Sequence, residues 1–310
     1  MEVAERLIGG GVRPSTREVY QSGQKQYRHF CNYYGLALLP ASENTVLLFV
    51  AWLFIKGLRS STIRVYLAAV RMLHITKGYG YHLTNNDRIQ LAVRAIEIGQ
   101  APPKQKLPIT LPILERLYNC VYSDLSSYNV LLIWTAMTLG HFGCLRSGEF
   151  TVSGIFNSNI HICRNDITFH DALINPYMNV HLKMSKTDYK NQGVNIAIAC
   201  TAKQVCAYCS MLKFCLVRDL HASPTQPLFI YTNGQILSRE LFVSQTKKYM
   251  SQIGLNSEHY SGHSYRIGGA TSAAISGLKD WEIQKLGRWK SSVYLRYIQP
   301  NHYHFPNTHK

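Results

Sequence analysis

Apolar positions recur every three or four residues through most of the first hundred positions, a spacing that predicts helices. They are expected over Arg17 to Tyr34, with Ser15 and Thr16 as caps, and from Ser42, with Glu43 in the first turn, through Ile55. Two more follow, over Thr62 to His74, opened by Ser60 and Ser61, and over Asn86 to Ile98, ending near Gly99. In the third helix Ile63, Tyr66, Leu67, Val70 and Leu73 form one stripe, and Arg64 and Arg71 fall off it. The apolar run Val46 to Ile55 has ten residues, whereas a membrane-spanning helix needs about twenty. It predicts a buried helix. Together these segments describe a compact all-α module of about four helices, its basic side chains free on the outer faces.

Residues 100–109, Gln-Ala-Pro-Pro-Lys-Gln-Lys-Leu-Pro-Ile, break that pattern. Three prolines and two lysines with little to bury predict an extended linker and a domain boundary. Beyond it, helices are expected from Thr110, Leu111 and Pro112 through about Tyr122, and from Tyr128 to Leu139. The period then changes to two. Met178, Val180, Leu182 and Met184 alternate with polar residues, and Val194, Ile196 and Ile198 alternate again after the polar turn 186–193. This predicts a β-hairpin, and a strand over His161 to Phe169 would extend it to a small sheet. Helical spacing resumes over Ala202 to Leu220 and holds to about Ile298, where Pro300 stops it. The expected architecture is mainly α with a small antiparallel β-sheet: an all-α domain over 1–101, a linker over 102–109 and an α+β domain over 110–310.

Composition narrows the functions. With 46% hydrophobic, 11% aromatic and 16% charged residues the chain can bury a core, which excludes intrinsic disorder. Its net charge of +16 divides into +6 before residue 100 and +10 after it, so neither part is a neutral domain with a basic tail. A positive surface spread over both parts suits a polyanion, because neutralising phosphates releases condensed counterions. No signal peptide is read at the N-terminus, and no membrane partner is expected. The eight cysteines are then expected to be reduced thiols. Cys200, Cys206, Cys209 and Cys215, with His221 beyond, contain one CxxC but no second close pair. Buried helical thiols are preferred there over a structural zinc site.

Four segments place unusual polar residues beside apolar helix surface. Arg146 and Glu149, three apart, are expected on one helix face. Lys186 sits in the hairpin turn. His263 and Arg266, in Ser261-Gly262-His263-Ser264-Tyr265-Arg266-Ile267-Gly268-Gly269-Ala270-Thr271, can point at one anion, the Arg as a donor fork and the His as a group titrating near neutrality. Gly268, Gly269 and Ala270 beside them imply close backbone packing. Trp289, in Gly287-Arg288-Trp289, offers one N–H, and Tyr297 lies eight residues on. Singly, each has an ordinary structural explanation: an ion pair, a solvated lysine, a core His with a surface Arg, a packing Tyr.

Their order is specific. Arg, hairpin Lys, HxxR, Gly-x-Trp and a Tyr near the C-terminus resemble the catalytic series of the tyrosine recombinase (phage integrase) family. The phrases Ser-Gly-His-Ser-Tyr-Arg-Ile-Gly-Gly-Ala-Thr and Asp-Trp-Glu-Ile-Gln-Lys-Leu-Gly-Arg-Trp-Lys-Ser look most like its eukaryotic mobile-element members, those of DIRS-type retrotransposons and Cryptons. The resemblance covers nearly the whole chain and implies a core-binding domain followed by a catalytic domain. It further implies that Arg146 and Arg266 clamp the scissile phosphate and that Lys186 protonates the leaving 5′ oxygen. His263 would be an acid/base partner or phosphate donor, Trp289 a donor at the place of a second His, and Tyr297 the nucleophile. Glu149 would orient the first Arg. Tyr297 is preferred to Tyr294, and Lys186 to Lys183 or Lys190, because their settings match the family. Transesterification through a phosphotyrosine needs neither ATP nor cofactor nor catalytic metal. The expected partners are double-stranded DNA and, by resemblance, further copies of the chain in a tetramer on two sites, acting in the nucleus on a mobile element. The rival expectations are a type IB topoisomerase-like nicking and closing enzyme and a DNA-binding protein descended from a recombinase.

Overall fold

The computed structural model describes residues 6–8, 10–81, 83, 86–102, 104–171, 173–184 and 192–299. They divide into two compact units, Met1–Lys104 and Gln105–Lys310. In the first unit α1 (Pro14–Tyr34), α2 (Glu43–Ile55), α3 (Ser60–Thr76) and α4 (Asp87–Ile98) enclose a core around Tyr27, Phe30, Phe49, Leu53, Ile63 and Val70. The Ser42 hydroxyl accepts from the Thr45 N–H and the Asn86 amide from the Ile89 N–H, both at 3.1 Å, so each satisfies a backbone donor that its helix leaves open. Serines 15, 60 and 61 and Thr16 lie inside their helices rather than capping them. Pro14, without an N–H to lose, opens α1.

Two expectations for this unit need correction. The apolar helix α2 is buried on one face only: Val46, Phe49, Val50 and Leu53 are in the core, while Leu48, Phe54 and Ile55 are at least half exposed. Its run of apolar residues lacked the polar positions that would have marked an outer face. Nor are the basic side chains all free: Arg64 pairs with Glu97 at 2.9 Å, Arg88 with Glu43 at 2.7 Å, and Lys56 lies over the Trp52 ring.

The second unit is built round α6 (Tyr128–Phe142), in which every residue from Leu131 to His141 is buried. Against it pack α5 (Leu111–Val121), the four-residue α7 (Ser147–Phe150), α8 (Ala207–Arg218) and α10 (Ser264–Ile275), while α9 (Arg239–Gln252) packs on α5 and α7 and α11 (Asp280–Leu286) on α10. The sheet, β1 (Ile167–His170), β2 (Tyr177–Leu182) and β3 (Val194–Ala199), is antiparallel in the order β1-β2-β3, with Val180 opposite both Ile167 and Ile196. Met178, Val180 and Leu182 are buried, as their alternation predicts. β1 is shorter than expected, since residues 164–166 form a 3-10 turn, and the hairpin tip 185–191 lies outside the described residues.

Residues 107–109 do not behave as linker. The Leu107 N–H donates to the His259 carbonyl and the Ile109 N–H to the Ser264 carbonyl, both at 2.9 Å, and Ile109 is fully buried. The expected helix over Ala202 to Leu220 begins only at Ala207, after a turn with Ala202 at φ 51°. The final helical segment is α11 and then a 3-10 helix, Ser292–Tyr297. Among the described residues no helix is long and apolar enough to cross a membrane.

Candidate active site

The predicted site residues of the second unit converge, apart from Lys186, which lies outside the described residues. Arg146 is the residue just before α7 and Glu149 its third position, so the pair closes the start of a short helix rather than lying along a helix face. The Glu149 carboxylate accepts from the Arg146 backbone N–H at 2.8 Å and its guanidinium at 3.0 Å. It also takes Arg288 Nη2 at 3.1 Å. One nearly buried carboxylate thus holds two guanidiniums.

Arg288 was not among the residues singled out from the sequence. It donates to the carbonyls of Gly143 and Cys144, and the latter carbonyl also accepts from Arg266. Its place between Gly287 and Trp289 was the available signal. At φ 56° Arg288 adopts a conformation costly for a side-chain-bearing residue, held here by these three contacts.

Arg266 reverses the ordinary expectation for HxxR, a core His and a surface Arg. The guanidinium is fully buried on α10, and His263, one residue before the helix, is exposed. Arg266 donates to the Cys144 carbonyl and to the Gly287 carbonyl, the latter at 2.6 Å. Its Nε meets no acceptor among the described residues. Loss of solvation, and then the Arg146 charge, hold its pKa below the ordinary value. The small residues explain how α10 gets so deep. A Cβ on Gly268 would stand 1.8 Å from the Ile109 carbonyl oxygen, and one on Gly269 2.2 Å from that of His141.

Trp289 folds back over Gly287, where a Cβ would fall 1.8 Å from the indole. Its ring lies 4.5 Å from the Arg266 guanidinium carbon and 4.9 Å from the Tyr297 ring, and its buried N–H has no acceptor among the described residues. The half-buried Tyr297 ring is also 5.2 Å from His263 and 5.5 Å from the Arg266 guanidinium carbon. The Thr271 hydroxyl donates to the Tyr297 carbonyl at 3.0 Å, tying the segment to α10. Partial loss of solvation against Tyr297 and then the charges of Arg266, Arg146 and Arg239 lower the His263 pKa, so its ring is neutral at pH 7.

The alternatives are placed differently. Tyr294 is 7% exposed in a cluster with Ala270, Ala273 and Ile283, and its pKa is raised by burial and by a hydrogen bond with Asp280. Lys183 is bound to Asp166 at 2.6 Å and to the Ser158 carbonyl at 2.8 Å. Lys190 is outside the described residues.

Chemically, the site gathers guanidiniums, two buried N–H groups that meet no acceptor among the described residues, a neutral imidazole and a phenol. Buried polar groups are ordinarily paired, so these two donors retain the capacity to bind an acceptor, an oxyanion being the strongest kind.

No protein-family model matches the chain. The sequence is 26% identical over 305 residues to an integrase/recombinase XerD homolog of Selenomonas ruminantium, covering 96% of this chain and 84% of that one. The fold of the present chain is similar to that of lambda integrase bound as a dimer to a COC′ core site, with a TM-score of 0.60 at 17% identity over 96% of this chain and 93% of that one. Lambda integrase as a tetramer on a Holliday junction aligns with a TM-score of 0.60 at 17% identity, over 99% and 78% of the two chains. The Tn1549 transposon integrase in complex with transposon right end DNA aligns with a TM-score of 0.57 at 13% identity, over 94% and 90%.

Proposed function

We propose that this chain is a tyrosine recombinase, a reading that its similarity to the XerD homolog and its fold support, and that it cuts and rejoins DNA strands through a 3′-phosphotyrosyl intermediate. The observation that carries the proposal is the pair of unpaired buried donors, Arg266 Nε and Trp289 Nε1, beside the Tyr297 ring.

In the reaction the Tyr297 phenol oxygen attacks the scissile phosphorus and the bond to the 5′ oxygen breaks. His263, neutral at pH 7, accepts the phenol proton. Lys186 gives a proton to the leaving 5′ oxygen. Arg146, Arg266 and Trp289 stabilise the charge that spreads over the other phosphate oxygens, each donor contributing roughly 100- to 1000-fold. Glu149 holds Arg146 and Arg288 in place and does not react. Attack by a 5′ hydroxyl from another strand reverses the step, so bond energy is conserved without ATP. The burial of Tyr294 supports Tyr297 as nucleophile, and the commitment of Lys183 to Asp166 supports Lys186.

The finer reading is a tetramer on two double-stranded sites, integrating or excising a mobile element of the DIRS or Crypton kind in a nucleus. The likeness to the lambda integrase tetramer on a Holliday junction supports an assembly of several copies, and that to the Tn1549 transposon integrase supports a mobile element in general; the DIRS or Crypton kind and the nucleus rest on the sequence phrases alone.

The test is to express wild type and Tyr297→Phe in cells, lyse in denaturant, capture protein-linked DNA and sequence its ends. Wild type alone should retain DNA, with ends at recurrent positions. Adducts that persist in Tyr297→Phe would overturn the nucleophile. Salt-dependent duplex binding by both proteins without any adduct would favour a DNA-binding protein without chemistry.

A further inference from the structure

The cysteine group at the junction of β3 and α8 takes no part in the phosphate site. Cys200 follows the last residue of β3, Cys206 immediately precedes α8, and Cys209 is in its first turn. The Cys200 sulfur lies 3.6 Å from that of Cys209 and 3.7 Å from that of Cys206, and all three are within 4.8 Å of one another. A bonded disulfide would need about 2.05 Å. A tetrahedral zinc ion with bonds of about 2.3 Å to sulfur sets its sulfur ligands about 3.8 Å apart.

The backbone around them is arranged for thiolates rather than thiols. The N–H groups of Thr201 and Cys209 both point at the Cys206 sulfur, and that of Ala202 at Cys200, each at 3.4 Å. Neutral thiols are weak acceptors, and three amide donors aimed at two sulfurs match anionic, metal-bound sulfur. Exposure grades from buried Cys206 through half-buried Cys200 to exposed Cys209, leaving one side open to an arriving ion and to a fourth ligand.

We propose that Cys200, Cys206 and Cys209 bind one zinc ion as a three-thiolate site, with water in the fourth position, clasping the end of β3 to the start of α8. Cys215 and His221 are not part of it. Cys215 is buried in the main core, and the His221 ring packs edge-on against Tyr128 at 5.7 Å. The clasp acts on the hairpin. The Cys200 N–H donates to the Pro176 carbonyl at 2.8 Å, so a metal here pins the root of the hairpin whose tip carries Lys186.

The experiment purifies the full chain from zinc-containing medium without chelator. It measures zinc by mass spectrometry and follows iodoacetamide labelling of each cysteine before and after a chelator. One zinc per chain is expected. Cys200, Cys206 and Cys209 should label slowly until the chelator is added, whereas half-buried Cys120 should label at the same rate throughout. The double variant Cys206→Ser with Cys209→Ser should lose the zinc, and Cys120→Ser should keep it. Zinc well below one per chain after reconstitution with the ion alone would overturn the proposal. So would chelator-independent labelling of Cys209, a disulfide within the group, or zinc retained by the double variant. The labelling comparison uses wild-type protein, so it stands even if the double variant does not fold.

Discussion

Both units carry exposed ion pairs, Arg64–Glu97 in the first and Lys247–Glu258 in the second, but among the described residues the fully buried guanidiniums belong to the second. In the first, Arg64 and Glu97 pair while 45% and 59% exposed, and the core beneath them is apolar and aromatic. In the second, Arg218 and Arg266 are fully buried and Glu149 nearly so, and at the site Arg266 Nε and Trp289 Nε1 meet no acceptor among the described residues. An exposed pair is screened by water and contributes about 0–1 kcal/mol. Burying a guanidinium costs several kcal/mol unless hydrogen bonds offset it, and here the two carbonyl contacts leave Nε over. Charge at the surface of the first unit is cheap and replaceable, whereas Arg266, unlike the equally buried Arg218 with its carbonyl partners, keeps one donor without an acceptor among the described residues.

The comparison breaks most visibly at Arg266. Replacing Arg266 with Ala should slow strand cleavage about 1000-fold, the upper range for one preorganised donor. Single-turnover cleavage of a suicide substrate measures it, and a loss under tenfold would show that the buried charge is structural. Next comes the packing that lets α10 carry that charge inward. Gly269→Ala sets a methyl against a backbone carbonyl and should destabilise the second unit by about 3 kcal/mol, read from urea denaturation.

Acid offers a third comparison. His141 is buried against the Ile109 carbonyl and brought down to about 4 by loss of solvation. Its pKa is depressed in the fold, so the unfolded chain takes up the proton first as pH falls. Stability is full above about 6.5 and declines towards 4, by about 2 to 3 kcal/mol for this group. His263 acts in the same direction. Denaturation of wild type and His141→Asn across that window should show a shallower slope in the variant. The smallest effect belongs to the first unit: Arg64→Ala should cost under about 1 kcal/mol, and less in high salt.

Legibility followed how local each cause was. The Ser42 cap, the period-two alternation of β2 and the small residues Gly268 and Gly269 act over a few residues, and each is found where the pattern placed it. The order of polar residues likewise pointed to Arg146, Glu149, His263, Arg266, Trp289 and Tyr297, which the fold gathers. Arg288 escaped notice because its partners, Gly143, Cys144 and Glu149, lie some 140 positions away. The onset of α8 was misplaced because the turn at Ala202 carries no glycine or proline to announce it. The convergence of three cysteines depends on that turn.

The sequence by itself determined which segments are helices or strands, because side-chain periodicity and capping act within a few residues. It also determined which polar residues the second unit carries and in what order. Only the tertiary structure decided which of the HxxR pair is buried, which tyrosine is enclosed and which cysteines meet. Those outcomes depend on what packs against each side chain from distant parts of the chain: the Cys144 and Gly287 carbonyls for Arg266, Asp280 for Tyr294, and the β3–α8 turn for the thiols.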